Sequence, residues 1–216
     1  MEKDLFDIVK TFDLKSLSEA LSANPGLANE GVALPGNDRK GHPLHRICDA
    51  VFVGRITDEL AVEMAKILLE YGSDIDGFMS KGDNNTPLIA AASLHAEKLG
   101  IFYIEHGANI HYAPKSDGGT ALHWAAYCGR DKLVERLIHA GANINQLDTA
   151  YHSTPLGWAE HALSNAEKND VNSYHQKECI MLLLRAGTDK SLLAKETIQY
   201  LKQLFAADSE IMALLQ

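Results

Sequence analysis

Apolar residues in this chain recur in pairs at helical spacing. Met64 and Ala65 are followed by Leu68 and Leu69. The same i, i+1, i+4, i+5 arrangement returns as Leu99, Gly100, Tyr103 and Ile104, as Leu133, Val134, Leu137 and Ile138, and as Cys179, Ile180, Leu183 and Leu184. Residues at these offsets share one side of an α-helix, so each set predicts a helix with a single buried stripe. A glycine closes every stripe, at positions 72, 107, 141 and 187, as expected where a helix ends on a left-handed residue. Shorter patterns stand ahead of two of the stripes: Leu88, Ala91 and Ala92, then Leu122, Ala125 and Ala126. A threonine suited to the N-cap opens each, and small residues on the inner face let neighbouring helices approach closely.

These patterns are periodic. NNTPLIAAA at 84–92 returns as GGTALHWAA at 118–126 and HSTPLGWAE at 152–160, so Thr86, Thr120 and Thr154 are each 34 residues apart. KGHPLHRIC at 40–48 is a weaker earlier copy. YGSDID, HGANIH, AGANIN and AGTDKS, which begin at Tyr71, His106, Ala140 and Ala186, close the successive units. Two units are regular, and two carry about ten extra residues each. The strings resemble ankyrin repeats, whose opening G-x-T-P-L-H-x-A-A and closing L-L-x-x-G-A-D/N-V/I-N are both matched in the unit holding GGTALHWAA and LIHAGANIN. LFDIVKTFDLKSLSEALSANPGLAN at 5–29 is similar to the family's N-terminal capping helices, and 190–216 looks like a closing helical pair.

The resemblance implies an all-α repeat solenoid. It is an ankyrin-type stack of helix–turn–helix units with hairpin turns and helical caps at both ends. The boundaries expected are a cap at 1–36, an expanded first repeat at 37–80, regular repeats at 81–114 and 115–148, an expanded fourth repeat at 149–189 and a closing cap at 190–216, all within one domain. No such unit buries its stripe alone; neighbours bury it mutually.

Composition narrows the function. The 216 residues carry 29 acids against 20 bases, a formal charge of -9, which excludes the basic face of a general nucleic-acid binder. Residues 49–110 hold 10 acids and 4 bases, so net -6 of that charge lies in the first two repeats. Three cysteines make no disulfide framework and fit a reducing compartment. The acidic N-terminus lacks the apolar core of a secretory signal, and no run is long enough to span a membrane. A cytoplasmic protein is expected, in a host cytoplasm if it is an exported effector.

The candidate chemistry is sparse. His45 and His123 stand at the family's T-P-L-H position, where the resemblance implies a backbone-tying role. His42, His45 and Cys48 fall at i, i+3 and i+6, but Cys48 occupies an alanine slot and no fourth ligand is in sight, so no metal is expected. His175 and Cys179 are four apart, yet Cys179 belongs to the core stripe. Cys128 aligns with an outward position. Trp124 and Trp158 share one slot of successive repeats, where packing against a neighbouring helix is favoured over a binding platform. Glu160 is a misfit, a carboxylate where Ala92 and Ala126 stand, and Gly157 replaces the structural histidine; both predict a distorted fourth repeat. No catalytic residue and no cofactor is expected.

Ankyrin-like stacks usually bind other proteins, with contacts on turn tips and on outward positions of each first helix. Carried over by position, the implied protein-binding residues are Arg39, Asp49, Asp83, Asn85, Leu94, Asp117, Tyr127, Tyr151 and His161. Acids and tyrosines dominate this set, so a partner with a basic or mixed basic-apolar segment is expected on the concave face of a monomeric scaffold. Two alternatives stay open: an enzyme with a hydrolase-like cysteine and histidine, and a secreted bacterial effector engaging a host protein.

Overall fold

The computed structural model describes residues 13–34, 37–77, 85–169 and 175–216. The chain forms two compact units, residues 1–109 and 110–216. Residues 1–12 and 35–36 of the expected N-terminal cap, residues 78–84, which include Asp83, and residues 170–174 of the fourth-repeat expansion lie outside the described residues.

The first unit begins with helix α1 (Leu14–Ala23), whose N-cap Asp13 accepts from the backbone N–H of Lys15 and Ser16. A 3₁₀ turn, Pro25–Asn29, follows. Strands β1 (Val32–Leu34) and β2 (Asn37–Gly41) then pair antiparallel, with Val32 opposite Gly41. This short pair is a β-structured form of the hairpin turn and sits in an otherwise helical unit. The buried Arg46 closes it by donating from Nε to the Val32 carbonyl at 3.1 Å. A Cβ at Gly41 would lie 2.3 Å from the guanidinium carbon, so a larger residue there displaces the Arg46 head from this position.

Two helix pairs complete the unit: α2 (Pro43–Phe52) with α3 (Asp58–Glu70), and α4 (Pro87–Ser93) with α5 (Glu97–Glu105). First helices pack on first helices and second on second, α2 on α4 and α3 on α5. The expected stripes are the core: Met64, Ala65, Leu68, Leu99 and Tyr103 are fully buried. Polar ties link the pairs. Asp58, at the start of α3, accepts from the backbone N–H of Lys98 and Leu99 at the start of α5, at 2.6 and 3.0 Å, and Glu59 takes the Lys98 ammonium. The Tyr103 hydroxyl donates to the Leu44 carbonyl at 2.8 Å.

The second unit repeats the plan with α6 (Ala121–Tyr127) and α7 (Asp131–His139), then α8 (Pro155–Asn169) and α9 (Gln176–Arg185), closed by α10 (Lys195–Leu204) and α11 (Ser209–Leu214). Of these last two helices, α10 lies against α8 and α11 against α9. Leu133, Val134, Leu137, Cys179, Ile180 and Leu183 are fully buried. Gly107 and Gly141 end their helices at φ 86° and 89°, the left-handed turn their position predicted. The tie at helix starts recurs: Asp131, first in α7, pairs with the His175 imidazole at 2.9 Å. The fourth repeat is distorted as Glu160 and Gly157 suggested, and α8 runs 15 residues against seven for α4 and α6.

Candidate functional site

An aromatic cleft of about 570 Å³ opens in the second unit. Its walls come from α6, from the turn before α8, from the first two turns of α8 and from the segment leading into α10. Trp124 and Trp158 meet with ring centroids 5.2 Å apart and planes at 80°. Tyr127 and Tyr151 approach Trp158 at 6.0 and 6.3 Å, with planes at 79° and 72°. Edge-to-face contact of this kind is the favourable arrangement for aromatic pairs. Tyr151 is 76% exposed at the rim, whereas Trp158 is only 9% exposed.

Local sequence explains why the rings sit there. Asp148 lies ahead of α8, buried, and accepts four hydrogen bonds: from the backbone N–H of Ala150 at 2.8 Å, Tyr151 at 2.6 Å and Ser153 at 3.0 Å, and from the Trp158 indole at 3.0 Å. Burial raises its pKa, but those donors outweigh it and hold the carboxyl below its usual range. One carboxylate therefore shapes the turn that presents Tyr151 and also fixes the Trp158 ring. On the other side, Gly119 permits the two indoles to close together, since a Cβ there would lie 2.8 Å from Trp158 Cη2 and 3.3 Å from Trp124 Nε1.

His123 holds this corner to the next repeat. Its Nδ1 accepts from the Thr120 N–H at 3.2 Å, so Nε2 carries the proton and donates to the Ser153 carbonyl at 3.2 Å. Burial lowers its pKa, and the ring, in edge contact with Trp158, stays neutral. The backbone-tying role implied for the T-P-L-H histidine holds at this position. In the following repeat Gly157 takes that place and lines the cleft; a Cβ there would lie 2.3 Å from the Ser153 hydroxyl oxygen. Glu160 also lines the cleft, half-buried, with Oε2 accepting from the Thr197 hydroxyl at 3.3 Å. No lysine or arginine is among the described residues that line it.

Residues 56–148 match the family model for ankyrin repeats in three copies. These residues are ankyrin repeats. No curated protein matches it as a relative.

Of the residues expected on the ankyrin binding surface, Tyr127, Tyr151 and His161 come together in the cleft. Asp117 lies in the same unit, where its carboxylate accepts from the Gly119 N–H at 2.8 Å and its carbonyl from Thr149. Asp49, Asn85 and Leu94 are half-buried in the first unit. Asp49 is engaged internally: Arg46 Nη1 donates to it at 2.7 Å and His45 Nδ1 lies 3.6 Å away. Arg39 lies on β2, and Asp83 is outside the described residues.

Two expectations change. Trp124 and Trp158 do pack, but they also line the cleft, so packing and platform are one arrangement. Cys128, expected outward, is half-buried, and burial pushes its thiol up to about 11. Cys48 is fully buried with its pKa raised further by burial, and Cys179 is fully buried in the stripe. None of these settings favours a thiolate nucleophile. His42 is an N-cap: its Nδ1 accepts from the Leu44 N–H, Nε2 is 3.1 Å from Asn29 Oδ1, and burial lowers its pKa to about 4. Among the described residues no group of three or more His, Cys, Asp or Glu is placed to hold a metal, and no helix is long and apolar enough to cross a membrane.

Trp124, Trp158, Glu160 and Gly157 were not among the expected binding residues. The signal for them was present as three departures in one repeat: a second tryptophan in one slot, a carboxylate in a small-residue slot, and a glycine at the histidine position.

Proposed function

We propose that the second unit of this ankyrin-repeat protein is a protein-recognition site that takes a basic or mixed basic-apolar segment of a partner into its aromatic cleft. Ankyrin repeats are generally protein-interaction modules, and this chain's repeats supply the scaffold. The observation that carries the reading is the cleft itself. It joins four aromatic side chains to a carboxylate, with no fixed positive charge among its described lining residues. Aromatic rings supply large contact area at small entropic cost, and they are enriched where partners anchor. Asp117 and Glu160 add the charge that steers a basic segment.

Selection from a random peptide display library against the purified chain tests this. Enriched peptides are expected to combine lysine or arginine with apolar residues and to lose at least about ten-fold in affinity against Tyr151→Ala, which removes the aromatic ring at the cleft's rim. Tyr151 is exposed in a turn, so thermal unfolding of that variant is expected to match the parent. Enrichment of acidic peptides, or undiminished binding to Tyr151→Ala, refutes the site.

A further inference from the structure

The cleft's geometry points to a narrower occupant than a basic segment at large. We propose that it receives a trimethyllysine side chain presented by a protein segment, an inference that rests on the protein-recognition reading of this cleft.

The argument is geometric and electrostatic. The two indoles stand at 80° to one another, and both tyrosines stand steeply to Trp158. Rings set at right angles form the corner of a box. A tetrahedral cation can touch several such walls at once, whereas a planar guanidinium stacks flat on one ring and meets the others badly. The face of each ring attracts a cation, tryptophan most strongly, and cages of this kind suit quaternary ammonium groups. Asp148 deepens the effect. The Trp158 indole N–H donates to a buried carboxylate at 3.0 Å, which pushes electron density into the ring that forms the inner wall.

The charged groups narrow the choice. Glu160 supplies the counter-charge, but its Oε2 already accepts from Thr197. A carboxylate oxygen can accept more than one hydrogen bond, so the choice against arginine rests on the right-angled rings, which suit a tetrahedral cation better than a planar one. A bare lysine ammonium brings three strongly hydrated N–H donors, and an aromatic corner offers them few acceptors in return. Trimethylation removes those donors and most of the hydration while it keeps the charge. The cleft's volume of about 570 Å³ holds such a side chain together with flanking residues of its segment. Gly119 is part of the device, since any side chain there would drive the two indoles apart.

The test uses the intact chain and three otherwise identical Gly/Ala peptides. Their central residue is trimethyllysine, lysine, or a neutral isostere in which carbon replaces the charged nitrogen. Binding is followed by tryptophan fluorescence and by the indole N–H signals of Trp124 and Trp158. The trimethyllysine peptide is expected to bind at least about five-fold more tightly than either control, within the range of a desolvated cation–π contact. Glu160→Gln and Tyr151→Ala are each expected to reduce that preference with thermal unfolding unchanged, and tetramethylammonium chloride is expected to compete. Equal binding of the carbon isostere makes the cleft a merely apolar hole and overturns the proposal, as does equal or tighter binding of the lysine peptide. If library-selected peptides depend on Tyr151 while trimethyllysine shows no advantage, protein recognition stands and this inference fails. If nothing depends on Tyr151, both fail.

Discussion

Removal of the Asp148 carboxylate is the most informative perturbation of the second unit. In Asp148→Ala, four donors lose their acceptor. Ala150 and Tyr151 are exposed, so water replaces the carboxylate at their N–H groups and they contribute little. Ser153 N and the Trp158 indole are more enclosed, and each unsatisfied buried donor costs about 1–3 kcal/mol, which gives a loss of about 2–6 kcal/mol for the two. The pH dependence has a definite sign. The folded-state pKa of Asp148 lies below its usual value, so its contribution is fully present above the unfolded value of about 3.9 and is lost as pH falls through the folded one. Urea unfolding at pH 7 and pH 3, followed by tryptophan fluorescence and far-ultraviolet circular dichroism, measures both effects. The gap between parent and variant is expected to be wide at pH 7 and to narrow at pH 3. A loss below about 1 kcal/mol at neutral pH, or a gap that widens in acid, refutes the account of this carboxylate as the brace of the cleft.

Two further outcomes follow from the core and the thiols. Leu137 is fully buried in the α7 stripe, so Leu137→Ala is expected to cost about 2–5 kcal/mol in denaturant titration by opening a cavity, and a value below about 1 kcal/mol would displace the stripe. With its thiol near pKa 11, Cys128 is expected to react with iodoacetamide at pH 8 about two orders of magnitude more slowly than a free cysteine of pKa about 8.5, measured by mass-resolved labelling. Fast, selective labelling at Cys128 would restore the hydrolase-like reading.

The sequence was most readable where one physical rule acts alone. The stripes Leu133, Val134, Leu137 and Cys179, Ile180, Leu183 are buried because helical period and hydrophobicity leave no other solution. The terminating glycines were equally plain, since few residues take φ near 89° without strain. The cleft was harder to see because it depends on side chains distant in sequence: Trp124, Trp158 and Thr197 meet only once the closing helices are in place. Glu160 was recognisable as a misfit, but spacing carried no hint that its partner would be the Thr197 hydroxyl. Asp148 went unnoticed for a related reason. Its four donors include three backbone groups, and backbone groups leave no mark on a residue pattern.

The histidine bond from His123 to the Ser153 carbonyl is a splice between consecutive repeats, and at Gly157 the equivalent side chain is missing. The hollow therefore lies where the period lapses. A scaffold of this kind can shape a binding site through a few departures from the motif within one repeat. In such arrays, the lapse in the motif and not its best copy is the place to look for what the protein holds.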